Sequence, residues 1–305
     1  MDTDRIVKSG FVAILGLPNA GKSSFLNAVL KDNIAITSKK PQTTRKNMKG
    51  IYNDSESQIV FVDTPGIHTI SNKLDDYMSK SINKSTDSVD LIAVIVDIVS
   101  FEKDDYDKIC RLLSKTDVKK ILLVNKCDIV ETDIDEKVST IIYKFGGSIA
   151  FDKVFLISAL KKKNIKEVIE YIKNELPFGN KYYDEEDLTD EPLRQIVADM
   201  IRQQCLYKLD KEIPHGITVI IDSMKSSKTK CQMIDATIIC EKEGHKRIII
   251  GKNGSMIKNI GTGARIALEK FLMKKVNLKL NVVIKNNWRN ESTLLANYGY
   301  DEKKL

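Results

Sequence analysis

The chain has 305 residues, which at about 100–200 residues per domain indicates two domains. Hydrophobic residues make up 42% and charged residues 30%, a composition typical of soluble globular proteins that excludes collagen-like, mucin-like and largely disordered chains. The net charge of +7 is uneven: residues 223–305 carry 17 Lys and Arg against 7 Asp and Glu, which indicates a polyanion partner for the back of the chain, with a solvated lysine-rich surface as the alternative.

The N-terminal residues, MDTDRIVKSG, begin with acidic side chains and lead directly into a strand-like run, without the apolar core of a secretion signal. The longest apolar run, Leu91–Val96, is far shorter than the ~20 residues of a membrane-spanning helix. The five cysteines contain no CxxC pair, which is typical of reduced thiols and not of disulfides or a zinc site. We therefore expect a cytoplasmic protein.

The front of the chain alternates short apolar runs with helical patterns, which predicts a doubly wound α/β fold. The runs are apolar on both faces, as are the strands of a parallel sheet that is covered on both sides. They are Phe11–Gly16, Ile59–Val62, Leu91–Val96, Ile121–Val124 and Val154–Ile157. The helical patterns are Lys22–Leu30, Asp105–Leu113 and Lys166–Asn174.

A phosphate-binding loop lies between the first strand and the first helix, where GLPNAGKS matches GxxxxGK[ST]. In that place the backbone N–H groups of the loop and of the helix N-terminus can cradle phosphates. We expect Lys22 to reach the terminal phosphates and Ser23 to hold Mg²⁺. The motif indicates an NTPase without specifying the nucleotide. Its predicted phosphate-binding residues are Gly16, Leu17, Pro18, Asn19, Ala20, Gly21, Lys22 and Ser23.

Two later segments resemble the switches of a nucleotide-dependent protein. DTPG follows the second strand; Asp63 suits a water-mediated Mg²⁺ contact, and the Gly66 N–H can bind the γ-phosphate, which is lost on hydrolysis. In PQTTR, one of two threonines should complete the Mg²⁺ shell, and we favour Thr44 over Thr43. The predicted switch residues are Gln42, Thr43, Thr44, Arg45, Lys46, Asp63, Thr64, Pro65, Gly66 and Ile67, and the predicted metal ligands are Ser23, Thr44 and Asp63.

A base-recognition motif, NKCD, follows the run Ile121–Val124. Asp128 can accept two hydrogen bonds from guanine, which adenine cannot supply on that edge, and an unpaired buried carboxylate is costly. Asn125 can bond the base and brace the phosphate loop, while the aliphatic stem of Lys126 can cover the base plane. A Ser-Ala pair after the next strand fits a backbone contact to the guanine oxygen. The predicted guanine-binding residues are Asn125, Lys126, Asp128, Ser158 and Ala159.

The α/β pattern stops near Pro177, and an acidic, turn-rich stretch follows over 184–192. We predict a linker over 179–191, with Pro192 in the first turn of a helix. The remainder is a different unit. Its predicted elements are a helix at about 192–209, strands at about 217–222 and 233–241, a short helical turn, a helix at about 255–273 and a strand at about 276–285.

A GxxG motif precedes the long helix of this second unit. Such glycines let the backbone approach a sugar-phosphate chain, and in a KH-like setting the loop clamps about four nucleotides of single strand. The predicted RNA-binding residues are Gly251, Lys252, Asn253, Gly254, Lys258, Arg265, Lys246 and Arg247, with a solvated basic surface as the alternative for each of the last four. The predicted core positions of the helix are Ile257, Ile260, Ala264, Ala267 and Phe271. We expect Trp288 to pack inside the unit.

GLPNAGKS, PQTTR, DTPG, NKCD and SAL occur in the order and approximate spacing of the GTP-binding motifs of translation-factor-class GTPases. The segments ITSKKPQTTR, TDEPLR, EIPHGI, EKEGHKRIIIGKNGSMIKNIG and VVIKNNWRNESTLLANYGY resemble the Era family, so that the resemblance covers essentially the whole chain. It implies an α/β P-loop GTPase domain with a doubly wound, mostly parallel sheet over 1–178. It further implies, after the linker, an α+β type II KH domain with a C-terminal tail over 192–305.

The resemblance also implies a function. We expect a GTPase that binds GTP, GDP and Mg²⁺ and that binds the 3′ end of small-subunit ribosomal RNA during assembly of the small ribosomal subunit. Family members also associate peripherally with the inner face of the cell membrane. We expect a monomer, and we do not expect DNA binding.

Ile67 stands where Ras-like GTPases have the glutamine that orients the attacking water. Isoleucine offers no hydrogen bond, and the Era family shares this substitution. Switch backbone, a potassium ion or a partner must then position the water, and we expect turnover on the order of 10⁻⁴ to 10⁻² s⁻¹. No general base is assigned. For His68 a solvated loop position is favoured over a catalytic one.

Other functions remain open beside the GTP-driven switch. Because Ile67 cannot orient the attacking water, the chain could be an RNA-binding assembly protein in which GTP is mainly a structural ligand. RNA-stimulated hydrolysis would distinguish the GTP-driven switch from this alternative. The front of the chain would also fit a GTPase that supports tRNA modification, but GTPases of that class lack a tail like the one in this chain. A membrane-associated cell-cycle signalling GTPase is the remaining alternative, and no strongly amphipathic basic helix supports it.

Overall fold

The computed structural model describes residues 6–101, 103–114, 116–145, 148–226 and 231–305. These residues divide into two compact units, of which the first takes those up to Ile70, Met78–Asp190 and Leu305, and the second takes Ser71–Tyr77 and Glu191–Lys304. In the described part of the chain, all five cysteines are free and no helix is long and apolar enough to cross a bilayer.

The elements follow one another in the order that the sequence predicts, with several additions. The strands are β1 (Val7–Gly16), β2 (Met48–Asn53), β3 (Ser57–Asp63), β4 (Leu91–Asp97), β5 (Lys119–Asn125), β6 (Lys153–Leu156), β7 (Phe178–Gly179), β8 (Thr218–Ser226), β9 (Cys231–Cys240) and β10 (Lys275–Ile284). The α-helices are α1 (Lys22–Leu30), α2 (Lys73–Thr86), α3 (Lys103–Leu113), α4 (Ile134–Phe145), α5 (Ile165–Glu175), α6 (Leu193–Lys208), α7 (Glu243–Ile250), α8 (Ser255–Leu272) and α9 (Ser292–Asn297).

The first unit is built on one sheet with the strand order β2-β3-β1-β4-β5-β6 and with β7 added beside β1. All neighbours in β3-β1-β4-β5-β6 are parallel, whereas β2 and β7 run antiparallel to their partners. Alternate residues of β1 enter different apolar clusters: Val12 and Ile14 join one, and Ala13 and Leu15 join the other. Strand apolarity on both faces therefore reflects burial on both faces, and the predicted doubly wound sheet is confirmed.

Residues 180–190, which we call the strap, pack within this first unit although the sequence predicts a linker there. The fully buried Gln58 of β3 holds the strap at three points. Its Oε1 accepts hydrogen bonds from the Tyr182 N–H at 2.6 Å and the Tyr183 N–H at 3.0 Å, and its Nε2 donates to the Tyr183 carbonyl at 2.9 Å. The Ile51 N–H of the edge strand β2 donates to the Leu188 carbonyl at 2.9 Å.

The second unit has a smaller sheet in the order β10-β9-β8, in which β9 and β10 are parallel and β8 and β9 are antiparallel. Helix α8 packs against α6 and β10. This is the predicted α+β KH domain, and the predicted helical turn before the GxxG motif is the complete helix α7. The indole of Trp288 is fully buried, as predicted, and its Nε1 donates to the Gly216 carbonyl at 3.0 Å.

The buried stripe of α8 differs from the prediction. Ile260, Ala264 and Leu268 are fully buried, whereas Ile257, Ala267 and Phe271 are only half-buried. The spacing of four residues keeps the buried positions on one narrow face, because positions i, i+4 and i+8 drift little around a helix. The core of α8 is therefore narrower than its apolar pattern suggests.

Candidate functional site

The carboxyl ends of the parallel strands bring the predicted nucleotide residues to one edge of the first sheet. The register pairs Ile14 with Asp63 and Asp97 with Asn125, so the ends of β1, β3, β4 and β5 lie side by side. In open α/β sheets, ligands bind outside the carboxyl ends of the strands. The loop Gly16–Ser23, the DTPG segment and the NKCD motif each follow a parallel strand at this edge. The PQTTR segment precedes β2, whose first residue lies beside Asp63 at the same edge.

Lys22 opens α1 and is buried, with its ammonium facing backbone carbonyls. Its Nζ donates to the Gly16 carbonyl at 3.1 Å and to the Leu17 carbonyl at 2.9 Å. Burial lowers the pKa of Lys22 to about 8, against the attraction of the Asp63 carboxylate. The two acceptors of the Lys22 ammonium are neutral carbonyls. A polyphosphate at the N-terminus of α1 would supply the negative charge that stabilises this ammonium.

Three oxygen-bearing side chains converge beside Lys22. The Ser23 hydroxyl donates to Asp63 Oδ2 at 2.6 Å, the Thr44 hydroxyl donates to the same oxygen at 3.2 Å, and the two hydroxyl oxygens lie 2.9 Å apart. The second carboxylate oxygen of Asp63, Oδ1, is buried and has no hydrogen-bond partner among the residues that the structure describes. Burial raises the pKa of Asp63, against the opposing influence of Lys22. Hard oxygens with an unpaired buried carboxylate oxygen among them fit a magnesium ion.

Thr43 takes a different role from Thr44. Its hydroxyl lies 2.7 Å from Ser38 Oγ and donates to the Lys40 carbonyl at 2.7 Å, so it is engaged within its own loop. Thr44 is therefore the switch threonine that the structure brings to Ser23 and Asp63.

The DTPG turn lies against the phosphate loop. The Ile67 N–H donates to the Gly16 carbonyl at 3.1 Å, and a Cβ on Gly66 would lie 2.7 Å from the Pro18 backbone nitrogen, so only glycine fits there. The Ile67 side chain packs on an apolar core cluster. The half-buried His68 ring, for which a solvated loop position is expected from the sequence, has Nδ1 2.6 Å from the Gly66 carbonyl oxygen.

Asn125 connects the phosphate loop to the Ser-Ala turn. Its Nδ2 donates to the Ala20 carbonyl at 2.8 Å, and its Oδ1 accepts from the Ala159 N–H at 2.9 Å. The next residue, Lys126, has a left-handed backbone with φ 68°. Its Nζ lies 2.6 Å from Oδ2 of Asp97, at the end of β4. Sequence reasoning missed Asp97, although its place at the end of a predicted strand puts it at the ligand-binding edge.

The GxxG loop of the second unit joins α7 to α8. Gly251 and Gly254 have φ of 73° and 75°, and a Cβ on Gly251 would lie 2.8 Å from the Met256 backbone nitrogen. The side chains of Lys252 and Asn253, at the tip, are exposed. Because α8 begins directly after the loop, its N-terminal N–H groups add to the attraction for a phosphate.

The predicted basic residues around this loop differ in their surroundings. Lys258 is exposed and Lys246 is half-buried. Arg265 Nη1 lies 3.2 Å from both carboxylate oxygens of Glu269, so part of its charge is already balanced. The exposed Arg247 lies 3.8 Å from Glu243, a weak surface pair.

Comparison with known families supports both units. Residues 11–126 match the family described as 50S ribosome-binding GTPase, and residues 212–289 match the KH domain family. GTPase Era of Clostridium kluyveri is 42% identical over 97% of this chain and 100% of that protein. GTPase Era of Clostridioides difficile is 43% identical over 97% of this chain and 99% of that protein.

Solved structures agree with these relatives. A variant of Aquifex aeolicus Era bound to GDP·AlF4⁻ superposes with a TM-score of 0.91 and 32% identity, covering 97% of this chain and 100% of that one. Era in complex with MgGDPNP and nucleotides 1506–1542 of 16S ribosomal RNA gives the same TM-score and identity, covering 97% of this chain and 99% of that one.

Proposed function

Because the chain belongs to the Era family of GTPases, we propose that it is a GTP-driven switch that binds the 3′ end of 16S ribosomal RNA during assembly of the small ribosomal subunit. One observation carries the proposal: a guanine-nucleotide edge and a GxxG loop occur in one chain that matches, over nearly its full length, an Era protein solved with that RNA.

We assign the nucleotide contacts from the geometry at the sheet edge. The phosphates are held by the backbone of Gly16–Ser23 and by Lys22, whose ammonium balances the charge that develops on the phosphate oxygens. Ser23, Thr44 and Asp63 hold Mg²⁺. When bound, Mg²⁺ supplies positive charge that neutralises the phosphate oxygens. The unpaired Oδ1 of Asp63 supports this assignment.

Guanine is recognised by the loops after β5 and β6. We assign to the Asp128 carboxylate the two hydrogen bonds that distinguish guanine from adenine, and to the Ser158-Ala159 turn, which Asn125 holds through the Ala159 N–H, the contact with the base oxygen. Asn125 also fixes the phosphate loop through Ala20, so the base loops and the phosphate loop are held in one geometry before the nucleotide binds.

Hydrolysis by this chain alone should be slow. The Ile67 side chain is engaged in an apolar cluster and its N–H is bonded to Gly16, so neither group is placed to orient a water. The expected potassium ion is one candidate for that role. GTP turnover in matched potassium and sodium buffers tests it: a rate that is the same in both excludes potassium.

The RNA assignment rests on the second unit. Gly251 and Gly254 shape the loop, and Lys252 and Asn253 present a charge and a hydrogen-bonding tip to the sugar-phosphate chain. We assign Lys258, Lys246, Arg247 and Arg265 to the surrounding basic surface. Among them Arg265 should contribute least, because Glu269 shares its charge.

A labelled oligonucleotide that copies the 3′ end of 16S ribosomal RNA tests the function. Its affinity is compared for protein loaded with a non-hydrolysable GTP analogue and with GDP, at fixed salt. Tighter, sequence-dependent binding in the GTP state is expected. Purified large ribosomal subunits serve as a competitor, because residues 11–126 match a family whose description names binding to the 50S subunit. The absence of specific binding in both states would contradict the ribosomal assignment.

The second candidate is an RNA-binding assembly protein in which GTP is a structural ligand. The engagement of Ile67 in the core favours it. Equal RNA affinity in the GTP and GDP states, together with hydrolysis that RNA does not stimulate, would select this candidate over the switch.

We place the protein in the cytoplasm with its ribosomal target. Peripheral contact with the inner face of the membrane stays a prediction of the resemblance. Co-sedimentation with vesicles containing anionic lipid tests it, and the same assay with neutral vesicles is the control.

A further inference from the structure

Asp97 lies outside every motif of the nucleotide site but contacts one of them directly. It is the last residue of β4, and its side chain is 13% exposed. Its Oδ2 lies 2.6 Å from Nζ of Lys126, whose side chain is 33% exposed. Both partners are sheltered enough that water screens their attraction less than it screens a pair on the open surface.

The Asp97 carboxylate is held in place by its own loop. Oδ1 accepts a hydrogen bond from the Val99 N–H at 3.0 Å, and Oδ2 accepts one from the Ser100 hydroxyl at 2.8 Å. Burial favours the protonated form, but the hydrogen bonds from Lys126, Val99 and Ser100 outweigh it and lower the pKa of Asp97. The carboxylate is therefore ionised at neutral pH and is fixed independently of the lysine.

The ion pair with Asp97 orders the far end of the Lys126 side chain. Its backbone is left-handed with φ 68°, a region that side-chain-bearing residues rarely adopt. A lysine side chain also has four rotatable bonds, and ordering it costs conformational entropy. An ion pair at its far end restricts all of these bonds together, because both ends of the stem are then fixed.

Resting on the proposed function, we infer that Asp97 is a positioning residue for guanine nucleotides. It holds Lys126 so that the aliphatic stem is already ordered to cover the base plane when the nucleotide arrives. Asp97 acts through Lys126 and not by its own contact with the nucleotide. Preordering lowers the entropy lost on binding, so it should tighten the binding of GTP and of GDP by the same factor.

The Asp97→Asn substitution removes the charge and keeps the side-chain size. We expect the Kd for GDP and for GTP to rise about tenfold, since contacting groups couple strongly enough for a change of that order. The preference for guanine over xanthine should not change, because Asp128 reads the base. The effect should shrink as salt is raised, since the pair is partly exposed. Asp90→Asn, at the opposite end of β4, is the matched control and should leave both Kd values unchanged.

A double-mutant cycle separates this role from a purely structural one. Lys126→Met keeps the apolar stem and removes the ammonium, so it should raise the Kd by a factor similar to that of Asp97→Asn. In the Lys126→Met background, Asp97→Asn should change the Kd less than about twofold, because its partner is already absent. If Asp97→Asn instead acts by disturbing the loop of Val99 and Ser100, it will raise the Kd by the same factor in both backgrounds. That result would overturn the inference.

The remaining outcomes are also decisive. If Asp97→Asn binds GDP as tightly as the unmodified protein, the inference fails and the GTPase assignment stands. If the unmodified protein does not bind GDP, the proposed function itself fails. Should Asp97→Asn not fold, Lys126→Met alone decides: an unchanged Kd for GDP overturns the inference, and a raised, salt-sensitive Kd supports it.

Discussion

The Lys22 ammonium is buried, and an anionic ligand would stabilise its charge. In the free protein it faces two neutral carbonyls, and burial lowers its pKa to about 8. A bound polyphosphate favours the charged form and must raise that pKa. Above pH 8 the free protein therefore holds Lys22 mostly neutral, and nucleotide binding has to bring a proton with it.

This linkage predicts proton uptake on GDP binding. At pH 8.5 the protein should take up about 0.75 of a proton per GDP, and at pH 7.2 about 0.15, if the free pKa is about 8. Titration calorimetry in two buffers of different ionisation enthalpy measures the uptake. The Lys22→Arg variant should show no rise between the two pH values, because a guanidinium stays protonated. Uptake that does not change with pH would contradict the assignment.

Base recognition at Asp128 predicts a change of nucleotide. Asp128→Asn replaces an acceptor by a donor on the side that meets the guanine amine, so GTP should bind at least about 100-fold more weakly. Xanthine has an oxygen there and should become the preferred base. Competition of labelled GDP by GTP and XTP measures the preference. Asp133→Asn, an exposed change nearby, should leave it unaltered.

Residue chemistry explains which site positions could be predicted from sequence. Lys22, Asp63 and Asp128 lie in motifs whose spacing limits their chemistry to one role. Thr43 and Thr44 carry the same hydroxyl in adjacent positions, so only the fold separates them. Asp97 belongs to no motif, and its role depends on Lys126, which follows the neighbouring strand β5.

At the scale of elements, the buried Gln58 attaches the strap to β3 through three hydrogen bonds. Gln58→Ala would leave two N–H groups and one carbonyl of the strap without their partner, and each unpaired buried group costs about 1–3 kcal/mol. We expect the first unit to lose about 2–4 kcal/mol of its free energy of unfolding. Glu56→Ala, at the exposed turn of the same hairpin, should cost no more than about 0.5 kcal/mol.

The two units offer separate signals for this measurement. Trp288, the only tryptophan, is buried in the second unit, so its fluorescence reports unfolding there. Urea unfolding followed by circular dichroism should show an earlier transition in Gln58→Ala, while the tryptophan transition keeps its midpoint. A variant whose two transitions both match the unmodified protein would show that the strap contributes no stability.

The elements that escaped prediction share a physical cause. Strand β2 reads MKGIYN and contains a glycine and no apolar run. It is an edge strand of the sheet and is only partly buried, so continuous apolar sequence is not required there. The strap itself has the acidic, turn-rich composition of a linker, and it is attached both by backbone groups and by side chains, such as Tyr182 against Phe11 and Asp190 paired with Lys49. Backbone hydrogen bonds leave no trace in composition. The central strands were predictable because burial on both faces demands continuous apolar sequence.

At the scale of the whole molecule, charge separates the two binding functions. Residues 223–305 carry a net charge of +10 and contain the GxxG loop. If the loop clamps about four nucleotides, the logarithm of RNA affinity should fall against the logarithm of salt with a slope of about −3. Binding of the oligonucleotide between 50 and 300 mM KCl, roughly the range in which such slopes are measured, gives this value.

Replacing both tip residues tests the same separation by mutation. Lys252→Asp with Asn253→Asp places two negative charges at the phosphate clamp, so RNA affinity should fall at least about 100-fold. GDP affinity should stay unchanged. RNA binding that survives this change with its salt slope intact would place the clamp elsewhere on the basic surface.

The strap also sets an order of events during synthesis. The Ser9 hydroxyl of β1 donates to the Asn180 carbonyl of the strap, and the Lys8 ammonium donates to the Leu176 carbonyl just before it, so the first strand made lacks these partners until about 170 residues later. At about 5–20 residues per second, the nascent chain spends roughly ten seconds or more with β1 lacking these contacts. Until the strap leaves the ribosome, Gln58 Oε1 lacks the two strap N–H groups that donate to it in the finished protein. The nascent chain is therefore most exposed to aggregation and proteolysis in the interval before residue 190 emerges.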